Sequence, residues 1–154
     1  MSLDIGDRIP EARVWTTPRE SATLEQLIED GPILLLFYLF DWSSTCTNEL
    51  EVLRDRAEEL RAGGLRPYAI SRDSPWTHLA WTQALDLDFP LLSDWNGEAT
   101  RGFDVAHEYR GLRDVSRRSA FLIDGEGIIR GVWLYEALQL PDIDEILAGA
   151  LAMT

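Results

Sequence analysis

The chain contains no lysine and a single cysteine, Cys46, among its 154 residues. Without lysine, Schiff-base chemistry is closed to it. With one thiol no disulfide can form within the chain, which suits a reducing compartment. Histidine is nearly as scarce, with only His78 and His107. Neither has an acidic partner at a recognisable motif spacing, so a Cys-His hydrolase has little support. One cysteine and two distant histidines also make no metal-ligand cluster. Positive charge is short as well: all 14 basic residues are arginine and the net charge is −13. So acidic a surface repels nucleic acid and anionic membranes. No segment reaches the roughly 18 consecutive apolar residues of a membrane span. The N-terminus has no basic region leading an apolar stretch, so no signal peptide is expected and the plain reading is cytoplasmic. No phosphate-binding glycine motif is present, and nothing implies a cofactor or a metal.

What is present is 45% hydrophobic content, enough for the core of one domain over residues 1–154. Residues 12–16 read as a short strand and 23–29 as a helical turn. Residues 33–40 are apolar on both faces, as in a central strand covered on two sides. A helix is expected over 45–62, with Leu50, Leu53, Ala57 and Leu60 at helical spacing and Gly63-Gly64 as its stop. A strand over 65–71 follows, then a helix over 75–85 with Ser74 as N-cap and Pro75 in its first turn. Residues 90–93 are a further strand and 97–103 a short helix. Strands 119–123 and 128–134 flank Asp124-Gly125-Glu126-Gly127, a strong hairpin signal, and a helix over 142–153 closes the chain. This order predicts an α/β, thioredoxin-like fold: a mixed central sheet with helices on both faces.

Cys46 falls where strand 33–40 gives way, through Asp41-Trp42-Ser43-Ser44-Thr45, to helix 45–62. Helix N-termini offer unpaired N–H groups and a positive dipole end, so a thiol there is expected below its ordinary value of roughly 8.5. Carboxyl ends of central strands are also where α/β proteins commonly build sites. A thiolate attacking a neutral substrate needs a cationic partner, and the fork of an arginine makes two directed bonds. Arg118, in Arg117-Arg118-Ser119-Ala120-Phe121, begins a strand that can lie beside the Cys46 strand; one of the two arginines should face inward and the other outward. Ser43 can offer a hydroxyl or cap the helix, and Glu49 on the first turn can hold an arginine in place.

Together these segments resemble the peroxiredoxins, the alkyl hydroperoxide reductase and thiol-specific antioxidant family. The resemblance runs over about residues 5 to 135. Its centre is Phe37-Tyr38-Leu39-Phe40-Asp41-Trp42-Ser43-Ser44-Thr45-Cys46-Thr47-Asn48-Glu49, in which Ser43, Cys46 and Glu49 match the family pattern. Arg118, three residues before Phe121, fits the family arginine. Gly6-Asp7-Arg8-Ile9-Pro10, Ser71-Arg72-Asp73-Ser74, Ala80-Trp81 and Phe89-Pro90-Leu91-Leu92-Ser93-Asp94 are further likenesses. One departure stands out: Leu39 occupies the place of the family proline, and leucine has an N–H and no fixed φ.

The resemblance implies a thiol peroxidase reducing hydrogen peroxide or organic hydroperoxides. Cys46 would be oxidised to a sulfenic acid, Arg118 would lower the thiol and polarise the peroxide, and Ser43 would assist. Leu39, Phe40, Trp42, Thr45 and Glu49 would form the substrate surround. A lone cysteine cannot resolve its own sulfenic acid, so the type is one-cysteine. Its reductant would be external: a thioredoxin-like protein, a glutaredoxin-like protein or a low-molecular-weight thiol. The family also implies a homodimer, with Trp42, Trp76 or Trp95 available for an interface. A dithiol oxidoreductase is disfavoured, because Ser43 stands at the first position of Cys-x-x-Cys. Leu39 keeps a second reading open, a redox-silent or peroxide-sensing relative without efficient turnover.

Overall fold

Alternation along one strand organises the molecule. The computed structural model describes residues 3–153; the single-domain expectation for 1–154 also covers residues 1, 2 and 154, which lie outside the described residues. In β3 (Ile33–Phe37), Ile33, Leu35 and Phe37 enter one apolar cluster with Val14, Ile70, Phe103 and Phe121. Leu34, Leu36 and Tyr38 enter the opposite cluster with Cys46, Leu50, Leu53, Trp81 and Leu122. A strand buried on both faces must be central.

The remaining elements are arranged around it. They are β1 (Arg13–Trp15), β2 (Ser21–Thr23), α1 (Leu24–Leu27), α2 (Ser44–Ala62), β4 (Arg66–Ser71), α3 (Pro75–Leu85) and β5 (Leu91–Ser93). Then come α4 (Glu98–Gly102), β6 (Ala106–Tyr109), β7 (Leu112–Ser116), β8 (Ser119–Ile123), β9 (Ile129–Leu134) and α5 (Ile143–Leu151). Seven strands form one sheet in the order β2-β1-β5-β4-β3-β8-β9. Within it β3 is parallel to β4 and antiparallel to β8. Helices α2 and α5 pack on one side, while α1 and α4 lie with β1, β2 and β7. This is the expected mixed sheet with helices on both faces.

Local chemistry accounts for the ends of the elements. Ser74 caps α3, its hydroxyl accepting from the Thr77 N–H at 3.2 Å, and Pro75 opens the first turn. Asp124 binds the Ile128 N–H at 3.0 Å and closes the β8–β9 turn. Three features depart from expectation. The central strand stops at Phe37; the chain bends at Leu39 and turns at Asp41-Trp42, where the Trp42 φ is 73°. Ser21–Thr23 pairs with β1 as a strand, leaving Thr23 as the cap of a shorter α1. A second hairpin, β6–β7, was not expected. It turns at Arg110-Gly111, where φ is 49° and 87°, the pair of positive values that a tight two-residue turn demands. Its charged sequence hides both the strand alternation and the turn.

Because Ser74 fixes the start of the helix that carries His78, Ser74→Ala should cost about 1 kcal/mol. Urea denaturation followed by circular dichroism measures this; an unchanged midpoint would show that the cap carries no weight.

Candidate active site

The register of β3 against β8 brings two distant stretches together. Phe37 pairs with Ser119, so Arg118 arrives beside the residues that follow β3. As strand alternation requires, Arg117 is exposed and Arg118 turns inward. The Tyr135 N–H donates to the Arg118 carbonyl at 3.0 Å and carries the ladder past the end of β8.

Ser43 is the N-cap of α2. Its hydroxyl accepts from the Cys46 N–H at 3.2 Å, and its carbonyl accepts from the Thr47 N–H at 2.9 Å and the Thr47 hydroxyl at 2.8 Å. Cys46 is therefore in the first turn, as expected, but only 1% exposed. Burial pushes its thiol up. Ser43 and the backbone N–H groups of Phe40 and Leu39 pull it down, while the Glu49 charge pushes it up again. The expected depression is absent: desolvation and a neighbouring carboxylate outweigh the helix terminus in this closed arrangement.

Glu49 lies between Cys46 and Arg118. It is completely buried, and its Oε1 accepts from Arg118 Nε at 2.8 Å. Burial raises its carboxyl, which the Arg118 hydrogen bond and charge and a hydrogen bond from Cys46 hold down. Its Oε2 has no partner among the described residues. Arg118 also donates through Nη1 to the Glu136 carbonyl at 2.9 Å and through Nη2 to the Gln139 carbonyl. A guanidinium has five N–H groups, so two remain for a ligand.

A cavity of about 250 Å³ opens beside this pair, lined by Leu39, His107, Tyr109, Ser116, Arg117, Arg118, Tyr135 and Ala137, and not by Cys46. Leu39 and Arg118 thus reach a common space. Phe40 is half-buried with its ring 6.3 Å from Tyr109. Trp42 is 56% exposed and rests 6.2 Å from the Trp81 ring. Thr45 is half-buried, whereas Glu49 faces Arg118 and Cys46 rather than a cavity, a positioning place rather than a substrate surface. Among the described residues no group of three metal-ligating side chains occurs, and no helix is long and apolar enough to cross a membrane.

Two groups escaped sequence reasoning. Tyr135 is 8% exposed, and its hydroxyl has no partner among the described residues. Burial, then the Glu49 charge, holds that phenol protonated well above its ordinary range. Nothing in the sequence marks it, since it follows β9 in a segment without a motif. The other is His78, whose partner Asp41 lies 37 residues away in sequence, beyond the reach of any motif spacing.

Residues 5–132 match the AhpC/TSA family. The chain belongs to that family. A peroxiredoxin of Pyrococcus horikoshii is 29% identical over 150 residues, which are 93% of this chain and 68% of that protein. A peroxiredoxin of Methanocaldococcus jannaschii is 28% identical over the same shares. The crystal structure of peroxidoxin BcpB from Mycobacterium tuberculosis superposes with a TM-score of 0.86 at 26% identity, over 99% of both chains. Reduced 2-Cys peroxiredoxin of Plasmodium vivax gives 0.83 at 25% identity, over 97% of this chain and 81% of that one. The AhpC/TSA chain described here is thus a peroxiredoxin, a thiol-dependent peroxidase with a peroxide substrate and a thiol reductant. The redox-silent or sensing alternative is not favoured by these likenesses.

Two outcomes follow from the Cys46–Glu49–Arg118 arrangement. Glu49→Gln removes the charge that raises the thiol, so the Cys46 midpoint should fall, read as thiolate absorbance against pH; an unmoved or higher midpoint refutes that role. Arg118→Ala leaves a buried carboxylate unpaired and should cost about 3–5 kcal/mol in chemical denaturation.

Proposed function

We propose that Cys46 is the peroxidatic thiol of a one-cysteine peroxidase, with Arg118 and Ser43 as its catalytic partners. The observation that carries this reading is the buried Glu49–Arg118 pair beneath the helix turn that holds the sulfur. Peroxide enters the cavity bounded by Leu39 and Arg118. The sulfur attacks the terminal peroxide oxygen, an S–O bond forms as the O–O bond breaks, and the leaving oxygen takes up the proton that the thiol gives up. One thiol and one hydroperoxide therefore yield a sulfenic acid and an alcohol, or water from hydrogen peroxide. Negative charge moves from sulfur to the leaving oxygen, and the two unused N–H groups of Arg118 are suited to receive it. The Ser43 hydroxyl and the N–H groups of Leu39 and Phe40 hold the sulfur while it is charged. Leu39, Phe40 and Trp42 shield the loop, and Thr45 places the backbone of the first turn.

Recycling needs two equivalents of an external thiol. The first displaces water from the sulfenic acid and forms a mixed disulfide; the second releases Cys46 and leaves the reductant as its own disulfide. A thioredoxin-like or glutaredoxin-like protein or a low-molecular-weight thiol meets this need, in keeping with a cytoplasmic setting. A homodimer belongs to the same reading. Trp42, Trp76 and Trp95 are each more than half exposed, and aromatic side chains are enriched at interfaces.

Stopped-flow mixing with hydrogen peroxide or cumene hydroperoxide, followed by tryptophan fluorescence, tests the proposal. The parent should give a fast second-order change that is absent in Cys46→Ser. A change no faster than that of free cysteine would overturn it.

A further inference from the structure

The cavity beside Arg118 has more room than hydrogen peroxide needs. Its volume is about 250 Å³. A water molecule takes up about 30 Å³ in the liquid, so a molecule of two oxygens fills a small part of it. Leu39, the Tyr109 ring and Ala137 give it an apolar wall, against which a short carbon chain can lie. Its charged lining is Arg117 and Arg118, and among the described residues no aspartate or glutamate borders it. In a chain with 27 acidic and 14 basic residues, that is a local reversal of the overall charge.

Most polar groups around this cavity are already committed. Glu49 balances the charge of Arg118 at 2.8 Å, and the two unused N–H groups of Arg118 face the reacting oxygen in the peroxidase reading. The Ser116 hydroxyl lies 2.8 Å from that of Thr100. His107 Nδ1 lies 2.9 Å from the Val115 carbonyl, which can only accept, so that nitrogen donates. The Tyr135 hydroxyl is sealed from solvent. Arg117 is different: it is exposed, and its guanidinium has no hydrogen bond or ion pair among the described residues. Its backbone alone is engaged. The N–H donates to the Val105 carbonyl at 2.8 Å, and the carbonyl accepts from the Ser119 hydroxyl at 3.0 Å. Arg117 also borders a second cavity, with Asp4 and Asp104 on its wall, but no ion pair joins either of them to the guanidinium. The cavity beside the thiol site thus carries one uncompensated positive charge on a fixed stretch of backbone.

We propose that Arg117 is a specificity-determining residue, and that the preferred substrate is an organic hydroperoxide with a carboxylate at the far end of a short chain. This rests on the peroxidase reading and names its substrate class. The guanidinium fork meets a carboxylate with two directed hydrogen bonds. The other end reacts as before: Cys46 takes the outer oxygen as its sulfenic acid, and the hydroperoxy acid leaves as the hydroxy acid. Arg118 serves the leaving oxygen and Arg117 the carboxylate. The net charge of −13 repels any anion at a distance. At physiological ionic strength that repulsion is screened over about 8 Å, so beside Arg117 the local charge prevails.

Stopped-flow oxidation by ω-hydroperoxyhexanoate, by its methyl ester and by hydrogen peroxide tests this in the parent, Arg117→Gln and Arg117→Glu. The acid and the ester share the chain and the reacting group and differ in charge. In the parent at physiological ionic strength the acid should react about fivefold faster, the most that an exposed ion pair supplies. Added salt should shrink that preference. Arg117→Gln should keep its rates with the ester and hydrogen peroxide within about twofold of the parent, as surface substitutions do. Its rate with the acid should fall below that with the ester, since the overall repulsion alone remains, and Arg117→Glu should lower it further. The melting temperature of Arg117→Gln should match the parent, because the guanidinium has no partner to lose. A parent that takes the acid no faster than the ester, or an Arg117→Gln variant that keeps the parent ratio, overturns the inference; oxidation by hydrogen peroxide then shows the peroxidase reading intact. Oxidation of Cys46 by none of the three ends that reading and this inference with it.

Discussion

A guanidinium and a carboxylate placed together out of water hold the site to the sheet. Arg118 and Glu49 are 69 residues apart, and their side chains are 11% and 0% exposed. Each ion would lose several kcal/mol of hydration on its own, so each tolerates its place only because the other is present. Their pairing ties the second turn of α2 to the start of β8. A one-residue slip between β3 and β8 would turn Arg117 inward and carry Arg118 to solvent. Strand register, helix position and the surroundings of the thiol are therefore one constraint. The exposed pairs elsewhere, such as Arg8–Glu25 and Arg61–Asp88, hold nothing comparable, because water screens them.

Burial is the main reason the thiol is raised and not lowered, and the Glu49 charge adds to it. Cys46 and Glu49 are two acids in one desolvated space, and the hydrogen bonds of Arg118 weight the negative charge toward Glu49. A resting sulfur that keeps its proton is consistent with a peroxidase. What accelerates a reaction is an interaction that strengthens as charge moves, not one already satisfied in the resting state. In the proposed reaction, charge leaving the sulfur would move toward the Arg118 N–H groups not engaged by Glu49, Glu136 and Gln139.

Sequence made the skeleton of this arrangement legible. The central strand opening at Ile33, the cap at Ser74-Pro75 and the turn at Asp124–Gly127 each rest on short-range chemistry, and each lies where expected, although the strand ends at Phe37 and not at residue 40. Arg118 was legible because strand alternation and a family likeness agreed on it. The misses have a common cause. β6–β7 is a charged hairpin whose Arg110-Gly111 turn lacks the usual Asn-Gly or Asp-Gly signature. The partner of His78 comes from a loop 37 residues earlier, and the thiol is raised by burial and by the Glu49 charge, which only the assembled fold brings to bear. Local pattern carries local structure; burial and charge at a site are properties of the assembled fold.

Leu39 joins these strands of argument. A proline at this position would fix φ but could offer no N–H. Here the Leu39 N–H is one of the groups that stabilise the charged sulfur, a contribution a proline cannot make. What leucine gives up is stiffness, and stiffness is supplied from the other side of the loop, where Asp41 is held through its own N–H by Asp73 and through its carboxylate by Tyr38 and His78. Side-chain anchoring thus substitutes for a constrained ring.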